Sequence, residues 1–453
     1  MPDRMIHEEM IMKECYVETR FGRIRGWENE YGREFHSIPY AVTERFEEPR
    51  EVPFWGEFDA TQRQVNCHQR FEYYDEKAED GFYFREFDYM RFSDWAESPM
   101  TLSILTPKQP ENCPVVMYFH GGAFENGCID DEPFGSSHEF TDRGIIQVSV
   151  GYRLNVFGLY GSENFGLQDM EYAIHWVRDN IEAFGGDGSH IVLMGQSAGA
   201  MGVADLLLDN RLIGLISGAI MMSGAGLVPK FAGPAPREQN QPFWDEVREK
   251  CGCKTDDELK KVDARKLWQT WYDCKQASKS LQVGVPAIDG KIIRDYPHEI
   301  ARRDEDVNVP LLIGVTSQDM FPFMIFELAY GLALNRSRRK LNPVYGYYFD
   351  VTPPGESYKA FHAADLWYMF GNMEKSWRPF TDEDRQISKT MIDYTANFIK
   401  TGDPNGEGLK KWPAFTRLRG RFRLFSRTWV TLTTPAFARG KLLRNFLFDR
   451  GPF

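Results

Sequence analysis

The chain has 453 residues and a net charge of −12 at neutral pH, and its composition is 42% apolar and 14% aromatic. This acidic balance argues against a nucleic acid or an anionic membrane as a partner, while the apolar content suffices for a large core. The longest run of small and apolar residues, 214–227, is too short and too interrupted by serine and glycine to span a bilayer. We therefore expect neither nucleic-acid binding nor membrane insertion.

The cysteines are sparse and odd in number: the chain has 7. This usage favours reduced thiols and a cytoplasmic location. Residues 1–15 are charged and lack the apolar centre of a signal peptide, which agrees with that location. Cys251 and Cys253 could begin a metal site together with Cys274, but no histidine lies near them in the sequence. We predict no metal and no cofactor.

The first half of the chain predicts short strands followed by longer, buried ones. Residues 15–60 alternate short strand-like runs with turns. Residues 70–97 are aromatic and acidic without a clear period, and we interpret them as a loop region at the surface or at the rim of a pocket. Apolar residues at helical spacing predict a helix over 167–184. Continuous apolar runs predict strands at 101–105, 115–119 and 145–150.

The second half continues this alternation. Strands are predicted at 191–194, 217–222, 309–315, 344–349, 422–425 and 430–432, and helices at 197–208 and 387–401. Residues 228–300 are rich in proline, glutamine, lysine and aspartate, and we interpret them as a helical insertion over the sheet and its active site. The basic runs at 336–340 and 417–427 are interpreted as solvated faces. The whole pattern predicts one α/β domain over 1–453, with a mostly parallel, doubly wound sheet.

The sequence Gly-Gln-Ser-Ala-Gly at 195–199 indicates a sharp turn between a buried strand and a helix. The strand and helix backbones nearly touch at such a turn, and Gly195 and Gly199 leave the room it needs. The turn raises the hydroxyl of Ser197 above the sheet, at the positive end of the helix dipole. The alternative is an idle serine in a glycine-rich turn, and the rest of the chain must decide between the two.

A serine hydroxyl becomes a nucleophile only with a base in reach, and the base needs a carboxylate to orient it. Where serine lies on such a turn, the chain order is serine, acid, histidine. Only His298 and His362 follow Ser197, and Asp319 is the carboxylate in the loop after strand 309–315. His298 precedes Asp319, so this order selects Ser197, Asp319 and His362. Asp365 is the rival acid, although its position is more typical of a helix start.

Backbone amides can stabilise the oxygen that becomes negative when an ester is attacked. The Gly121-Gly122-Ala123 sequence follows the buried strand 115–119 and can turn its amides inward because no bulky side chain obstructs them. Ala198, directly after the serine, would supply a third donor. Each such donor contributes roughly 10²–10³ in rate. Both motifs in one chain, each after a buried strand, argue against a plain glycine turn.

Further motifs are spread over nearly the whole chain. They are Phe-His-Ser-Ile-Pro-Tyr-Ala at 35–41, His-Gly-Gly-Ala-Phe at 120–124, Asn-Phe-Gly-Leu-Gln-Asp at 164–169, Phe-Gly-Gly-Asp at 184–187, Gly-Val-Thr-Ser-Gln-Asp-Met at 314–320, Phe-His at 361–362, Phe-Gly at 370–371, Asn-Phe at 397–398, Thr-Gly-Asp-Pro at 401–404 and Trp-Pro at 412–413. With the serine motif, this combination resembles the type-B carboxylesterases, the family that includes cholinesterases and bacterial p-nitrobenzyl esterases.

The resemblance implies an α/β-hydrolase fold and ester hydrolysis through an acyl-serine. By this resemblance the catalytic triad falls on Ser197, Asp319 and His362, and the oxyanion-hole donors fall on Gly122, Ala123 and Ala198. A family serine that supports the acid falls on Ser223. The acid is aspartate where cholinesterases carry glutamate, so its loop must approach the imidazole more closely. The cysteine that pairs with Cys67 in the family is missing, because the matching segment reads Glu-Ser-Pro-Met at 97–100. This loss supports an intracellular enzyme and argues against a choline site.

We therefore expect a serine carboxylesterase that acts on a small-molecule ester. The chain is shorter than typical members of the family, mainly within the insertion, which favours an open pocket and tolerance of short-chain or aryl esters. Phe124 and Phe323 are the candidate substrate-binding residues. Two alternatives remain open. The chain could be a non-catalytic interaction module on the same fold, of the kind that the neuroligins represent, or its triad could catalyse amide hydrolysis or acyl transfer. The sequence does not indicate an oligomeric state.

Overall fold

The computed structural model describes residues 12–62, 66–70, 82–87, 95–129, 137–226, 233–280, 282–355, 358–427, 431–433 and 438–439. Strands and helices alternate through the middle of this chain. The strands are β1 (Lys13–Thr19), β2 (Gly22–Glu28), β3 (Arg33–Pro39), β4 (Gly56–Asp59), β5 (Asn66–Cys67), β6 (Trp95–Ala96), β7 (Thr101–Thr106), β8 (Cys113–Phe119), β9 (Ile146–Val150), β10 (Gly186–Gln196), β11 (Gly218–Met222), β12 (Leu311–Thr316), β13 (Val344–Phe349), β14 (Phe422–Phe425) and β15 (Thr431–Thr433).

One large sheet runs in the order β1-β2-β3-β7-β9-β8-β10-β11-β12-β13-β14-β15, with β4 paired to β2. All neighbours from β9 through β14 are parallel. The strand pairs at the two edges are antiparallel except for β2 and β4. The predicted mostly parallel central sheet is confirmed. Because β8, β10 and β12 are parallel, the loops that follow them emerge at one edge of the sheet.

Helices cover both faces of the sheet. They are α1 (Phe82–Phe87), α2 (Asn155–Leu159), α3 (Phe165–Asn180), α4 (Ala198–Leu206), α5 (Arg237–Lys250), α6 (Asp256–Leu259), α7 (Ala264–Ala277), α8 (Pro297–Arg302), α9 (Pro322–Arg339), α10 (Leu366–Phe370) and α11 (Asp382–Thr401), with 3-10 turns at Thr141–Arg143, Tyr160–Ser162, Ile181–Phe184, Asn210–Leu212 and Met373–Lys375.

The core lies on both sides of the sheet, and β10 shows how the sequence produces it. Ile191 and Leu193 point into one apolar cluster, whereas Val192 and Met194 point into the other. Successive side chains of a strand face opposite sides, so a strand covered on both faces needs an uninterrupted apolar run. This is why the sequence before the serine motif has no polar alternation.

Helix boundaries follow capping chemistry that hydrophobic periodicity does not report. The helix predicted from 387 begins at Asp382, because the Thr381 hydroxyl accepts from the Asp384 amide while the Asp384 carboxylate accepts from the Thr381 amide. It ends at Thr401, before Gly402 in the left-handed conformation with φ of 73°. Its acidic first turn is polar on all sides and gives no periodic signal.

Two expectations were wrong, and one helix was missed. The loop region predicted over 70–97 contains α1, whose buried residues Glu86 and Phe87 contact elements that follow much later in the chain. Helix α9 was not predicted, because its apolar residues lie on several sides of the helix. The basic runs are not solvated throughout: Arg336 and Arg423 are 2% and 1% exposed. Each of these arginines donates to distant backbone carbonyls that the local sequence does not reveal.

The predicted insertion over 228–300 is helical in its described part and contacts the rest of the chain. The indole of Trp244 in α5 packs against the ring of Tyr160 with centroids 5.4 Å apart and donates a 3.1 Å hydrogen bond to Ser162 Oγ. Lys275 in α7 forms an ion pair with Glu125, which follows strand β8. The insertion is therefore tied to the loops at the carboxyl edge of the sheet. Residues 228–232 and 281, like Val430 of the last predicted strand, lie outside the described residues.

Candidate active site

Ser197 lies between β10 and α4 in a conformation that few residues other than glycine adopt, with φ of 54° and ψ of −122°. The two glycines of its motif make this turn sterically accessible. A Cβ on Gly195 would lie 2.4 Å from the carbonyl carbon of Gly199, and one on Gly199 would lie 2.0 Å from the Phe119 oxygen. The strand, the helix and the end of β8 thus pack backbone against backbone, and the serine side chain projects from the turn.

His362 bridges Ser197 and Asp319. Its Nε2 atom lies 2.8 Å from the Ser197 hydroxyl oxygen, and its Nδ1 atom lies 2.5 Å from Asp319 Oδ1. The three residues come from the β10–α4 turn, the loop after β12 and the loop before α10. His362 is 7% exposed and Asp319 is 4% exposed, so both interactions are largely shielded from water. The structure brings together all three residues selected from chain order.

The electrostatics of this arrangement favour an ionised aspartate and a basic imidazole. Burial alone would raise the pKa of Asp319, but the neighbouring His362 outweighs it and the pKa is lowered. Asp319 also accepts a 2.9 Å hydrogen bond from the Met320 amide and a 3.1 Å hydrogen bond from the Thr316 hydroxyl. Burial would likewise lower the pKa of His362, but the Asp319 carboxylate outweighs it and raises that pKa.

The rival acid, Asp365, is buried nearby but makes a different contact. Its Oδ2 atom accepts a 2.6 Å hydrogen bond from the Tyr347 hydroxyl, and its Oδ1 atom has no hydrogen-bond partner among the described residues. Burial raises the pKa of Asp365 to about 6. Asp319 rather than Asp365 therefore contacts the imidazole directly, while Asp365 adds a second acidic group close to His362.

Ser223 directly follows β11 and has a φ of 54°, and its hydroxyl is buried. This hydroxyl lowers the pKa of Asp319. No described atom lies within full hydrogen-bonding geometry of the Ser223 oxygen, so the contact is looser than those from Thr316 and Met320. The family role expected for Ser223 stays a prediction.

The loop after β8 presents backbone amides beside the serine turn. Gly122 and Ala123 both have positive φ, 108° and 60°, and the Gly122 carbonyl accepts from the Glu125 and Asn126 amides. This tight turn leaves the amides of Gly122 and Ala123 without a backbone acceptor among the described residues, and the same holds for Ala198 at the start of α4. A Cβ on Gly121 would lie 3.1 Å from the Cβ of Ser197, which shows how closely the loop approaches the serine.

The two candidate substrate-binding phenylalanines lie in different environments. Phe124 has a φ of 58° and is only 4% exposed, packed within the apolar core. Phe323 is 49% exposed near the start of α9, beside the exposed side chains of Met320, Phe321 and Met324. The structure does not bring Phe124 and Phe323 into contact with each other in the described residues.

Two further side chains contact His362 and were missed in the sequence. Tyr83 of α1 donates a 3.3 Å hydrogen bond to the His362 carbonyl oxygen, and the Gln196 amide nitrogen lies 3.3 Å from His362 Nε2. Gln196 stands inside the serine motif, so its position there was a usable signal. Tyr83 lies 279 residues from His362 in the chain, and no local sequence pattern predicts the contact.

The described residues contain neither a candidate metal site nor a membrane-spanning helix. No cluster of three or more histidine, cysteine, aspartate or glutamate side chains in these residues could hold a metal ion. None of the described helices combines the length and apolar character required to cross a bilayer. Cys67, which has no disulfide partner, is 2% exposed, and burial raises the pKa of its thiol to about 12.

Comparison with known proteins identifies the family of the chain. The model of the carboxylesterase family matches residues 13–331 and 324–430. The para-nitrobenzyl esterase of Bacillus subtilis (strain 168) is 26% identical over 88% of this chain and 92% of its own length. The bile salt-activated lipase of Bos taurus is 27% identical over 82% of this chain and 75% of its own length.

Solved structures agree in overall architecture. A thermophilic PNB esterase superposes with a TM-score of 0.82 at 26% identity, covering 95% of this chain and 100% of its own. A carboxylesterase of Geobacillus stearothermophilus superposes with a TM-score of 0.76 at 25% identity, covering 94% of this chain and 99% of its own. The similarity therefore extends over nearly the whole chain.

Proposed function

Since this chain belongs to the carboxylesterase family, has the α/β-hydrolase fold and is a carboxylic ester hydrolase, we propose that Ser197, His362 and Asp319 form its catalytic triad. The observation that carries the proposal is the continuous contact from Ser197 Oγ to His362 Nε2 at 2.8 Å and from His362 Nδ1 to Asp319 Oδ1 at 2.5 Å. A serine on a strained strand-to-helix turn, a buried imidazole and a buried carboxylate are the parts that acyl transfer requires.

In the proposed reaction, His362 Nε2 accepts the hydroxyl proton of Ser197 while the serine oxygen attacks the ester carbonyl carbon. The tetrahedral intermediate collapses when His362 returns that proton to the departing alcohol oxygen, which leaves an acyl-serine. Water then attacks the acyl group with His362 again as base, and the acid leaves as Ser197 regains its proton. Asp319 stays ionised throughout and stabilises the imidazolium. No step requires a metal or a cofactor.

The amides of Gly122, Ala123 and Ala198 are the proposed oxyanion hole. Two features support this assignment: these amides have no backbone acceptor among the described residues, and their loop approaches the serine turn closely. Donors that are already oriented stabilise the developing oxyanion without reorganisation, and each contributes roughly 10²–10³ in kcat.

We further propose a broad preference for short-chain or aryl esters, with Phe124 and Phe323 on the acyl side. The half-exposed Phe323 follows Asp319 closely in the chain and could contact an acyl group entering from solvent. Phe124 is buried and would act by supporting the amide loop. If Phe323 contacts the acyl group, Phe323→Ala changes the ratio of kcat/KM between butyrate and acetate esters, whereas Leu418→Ala, at an exposed position near the carboxyl end of the chain, leaves that ratio unchanged.

The experiment that tests the proposed function measures p-nitrophenol release from acetate, butyrate, octanoate and benzoate esters by wild type and Ser197→Ala. Wild-type turnover with loss in the folded Ser197→Ala variant supports the proposal. Equal turnover by both proteins would rule out Ser197 as the nucleophile. Adding an alcohol acceptor and analysing the products separates hydrolysis from acyl transfer, and a matched p-nitroanilide reports amide cleavage.

Two broader proposals concern the chain as a whole. Residues 228–300 belong to the same domain as the sheet, a view supported by the contacts of Trp244 and Lys275. The enzyme works in the cytoplasm, which agrees with free thiols at all 7 cysteines. Cell fractionation with a tagged chain tests the location, and coincidence of unfolding curves from Trp fluorescence and circular dichroism tests the single domain.

A further inference from the structure

A cleft opens between α4, the helix that begins directly after Ser197, and α9. The cleft is small and partly open to solvent. Its walls are largely apolar, and the lining side chains used below are Leu208, Met221, Val285, Pro286 and Leu332. Neither Ser197 nor His362 nor Asp319 lines it. The cleft is therefore distinct from the proposed catalytic site.

Asp205 also lines this cleft, on the last turn of α4. The residue is 8% exposed, yet among the described residues its carboxyl group has neither an ion pair nor a side-chain hydrogen bond, and Asp289 is the one charged group that acts on it. A buried carboxylate without a partner is costly, so the group holds its proton. Burial, with a smaller contribution from Asp289, raises the pKa of Asp205 to about 8.

The other charged side chains in and near the cleft make contacts of their own, although Arg336 Nε and Asp289 Oδ2 have no hydrogen-bond partner among the described residues. Arg336 donates to Asp306 at 3.3 Å, to Asn308 at 3.0 Å and to the Val309 carbonyl at 2.8 Å. Asp289 accepts from the amides of the loop that contains it, including that of Ile293 at 3.0 Å. Of the described groups lining the cleft, Asp205 is the acid without a counter-ion. A ligand that pairs with its carboxylate would therefore be a cation.

We propose that this cleft is a second small-molecule site that binds a primary alkylammonium ion, with the ammonium group donating to Asp205 and the alkyl chain packed against Leu208, Met221 and Leu332. The ammonium supplies the positive charge that lets Asp205 ionise. Binding therefore releases the carboxyl proton to the buffer, in a ratio that approaches one proton for each ligand at neutral pH. The apolar walls select a ligand with a hydrocarbon tail over ammonium itself.

The test is calorimetric titration of wild type with n-butylammonium chloride at pH 7, in two buffers that differ in ionisation enthalpy. The proposal expects saturable binding with release of close to one proton per ligand. Asp205→Asn keeps the shape of the side chain and should weaken binding at least tenfold and abolish proton release. Asp273→Asn, an exposed aspartate on α7, is the matched control and should bind as wild type does.

A second variant keeps the outcome decisive if Asp205→Asn alters folding. Leu332→Trp fills the cleft while retaining Asp205, and it should remove both the binding heat and the proton release. Ser197→Ala should bind as wild type does, which separates this site from the ester site and makes the test independent of esterase activity. Binding without proton release, unaltered binding by folded Asp205→Asn, or no binding by wild type each overturns the proposal.

Discussion

The Tyr347 hydroxyl donates a 2.6 Å hydrogen bond to the Asp365 carboxylate, which lies on the loop that carries His362. Tyr347 is in β13, and its ring occupies the space that a side chain on Gly314 of β12 would need, since a Cβ there would lie 1.8 Å from the ring. The sheet thus anchors a second buried carboxyl group near the proposed base. Burial lowers the pKa of His362, the neighbouring Asp319 raises it, and the Asp365 carboxyl adds a smaller contribution in the same direction as Asp319.

The pH dependence of the reaction should report this second carboxyl. His362 must be neutral to accept the serine proton, so activity falls on the acidic side of its pKa. Asp365→Asn removes a negative neighbour and lowers the pKa of His362, which shifts the acidic limb of the kcat/KM profile to lower pH. The profile is measured with p-nitrophenyl acetate from pH 4.5 to 8. An acidic limb that stays in place would show that Asp365 does not act on His362.

The two acids should differ sharply in their effect on kcat. Asp319→Asn keeps the geometry but favours the wrong tautomer of His362, and we expect a loss of about 10⁴-fold in kcat. Asp365→Asn leaves the Asp319–His362 contact intact, so its loss should be far smaller. Steady-state kinetics of the two variants at pH 8 decide between them. The reverse ranking would make Asp365 the orienting acid.

Local patterns explain why much of the fold and site could be predicted. The apolar runs that became β8, β10 and β13 are continuous because these strands are covered on both faces. Ser197, Asp319 and His362 follow from chain order, since each lies in a loop at the carboxyl edge of a parallel sheet. These features depend on residues close together in sequence, or on one ordering rule.

The features that escaped prediction depend on partners far away in the chain. Arg336 lies in a basic run, yet it is buried because Asp306 and the Val309 carbonyl accept from it. Asp205 gives no signal that it is unpaired, because only the packing of α4 against its neighbours decides that. The α1 helix is short, and its contacts with the His362 loop come from nearly 300 residues later.

The serine turn should tolerate no side chain at its first glycine. In Gly195→Ala the new methyl group would lie 2.4 Å from Gly199 and push β10 and α4 apart. We expect a destabilisation of about 1–3 kcal/mol or more, together with loss of activity as Ser197 moves. Gly331→Ala is the control, because this exposed position in α9 has open space around it, and it should stabilise by roughly 0.5–1 kcal/mol. Urea unfolding measures both, and a Gly195→Ala protein with wild-type activity would contradict the turn geometry.

A buried ion pair ties α1 to the segment that follows α10. The Arg378 guanidinium donates to Glu86 at 2.8 and 2.9 Å, Trp367 also donates to Glu86 at 2.8 Å, and both charged side chains are 0% exposed. Arg378→Met leaves the Glu86 charge buried without a cation, and we expect a loss of about 3–5 kcal/mol in unfolding free energy.

Two further variants test whether burial of the unpaired charge causes this loss of stability. Adding Glu86→Gln to Arg378→Met should recover part of the loss, because it removes the unpaired charge. Arg302→Met breaks an exposed pair with Glu299, where the arginine side chain is 71% exposed, and should change stability by no more than about 1 kcal/mol. Equal effects at Arg378 and Arg302 would mean that burial of the Glu86 pair has no energetic consequence.

Asp205 should make the stability of the protein fall with rising pH. Its pKa is about 8 in the folded chain against an ordinary value of 3.8, so the folded state binds the proton more tightly than the unfolded state. The stabilisation is complete below pH 4 and is lost as the pH rises through 8. Asp205→Asn removes this dependence. Between pH 4 and pH 7, wild type should lose on the order of 4 kcal/mol of unfolding free energy that the variant retains. Urea unfolding of wild type, Asp205→Asn and the control Asp273→Asn at pH 4, 7 and 9 measures the difference, and parallel curves for all three proteins would show that Asp205 is ionised without cost.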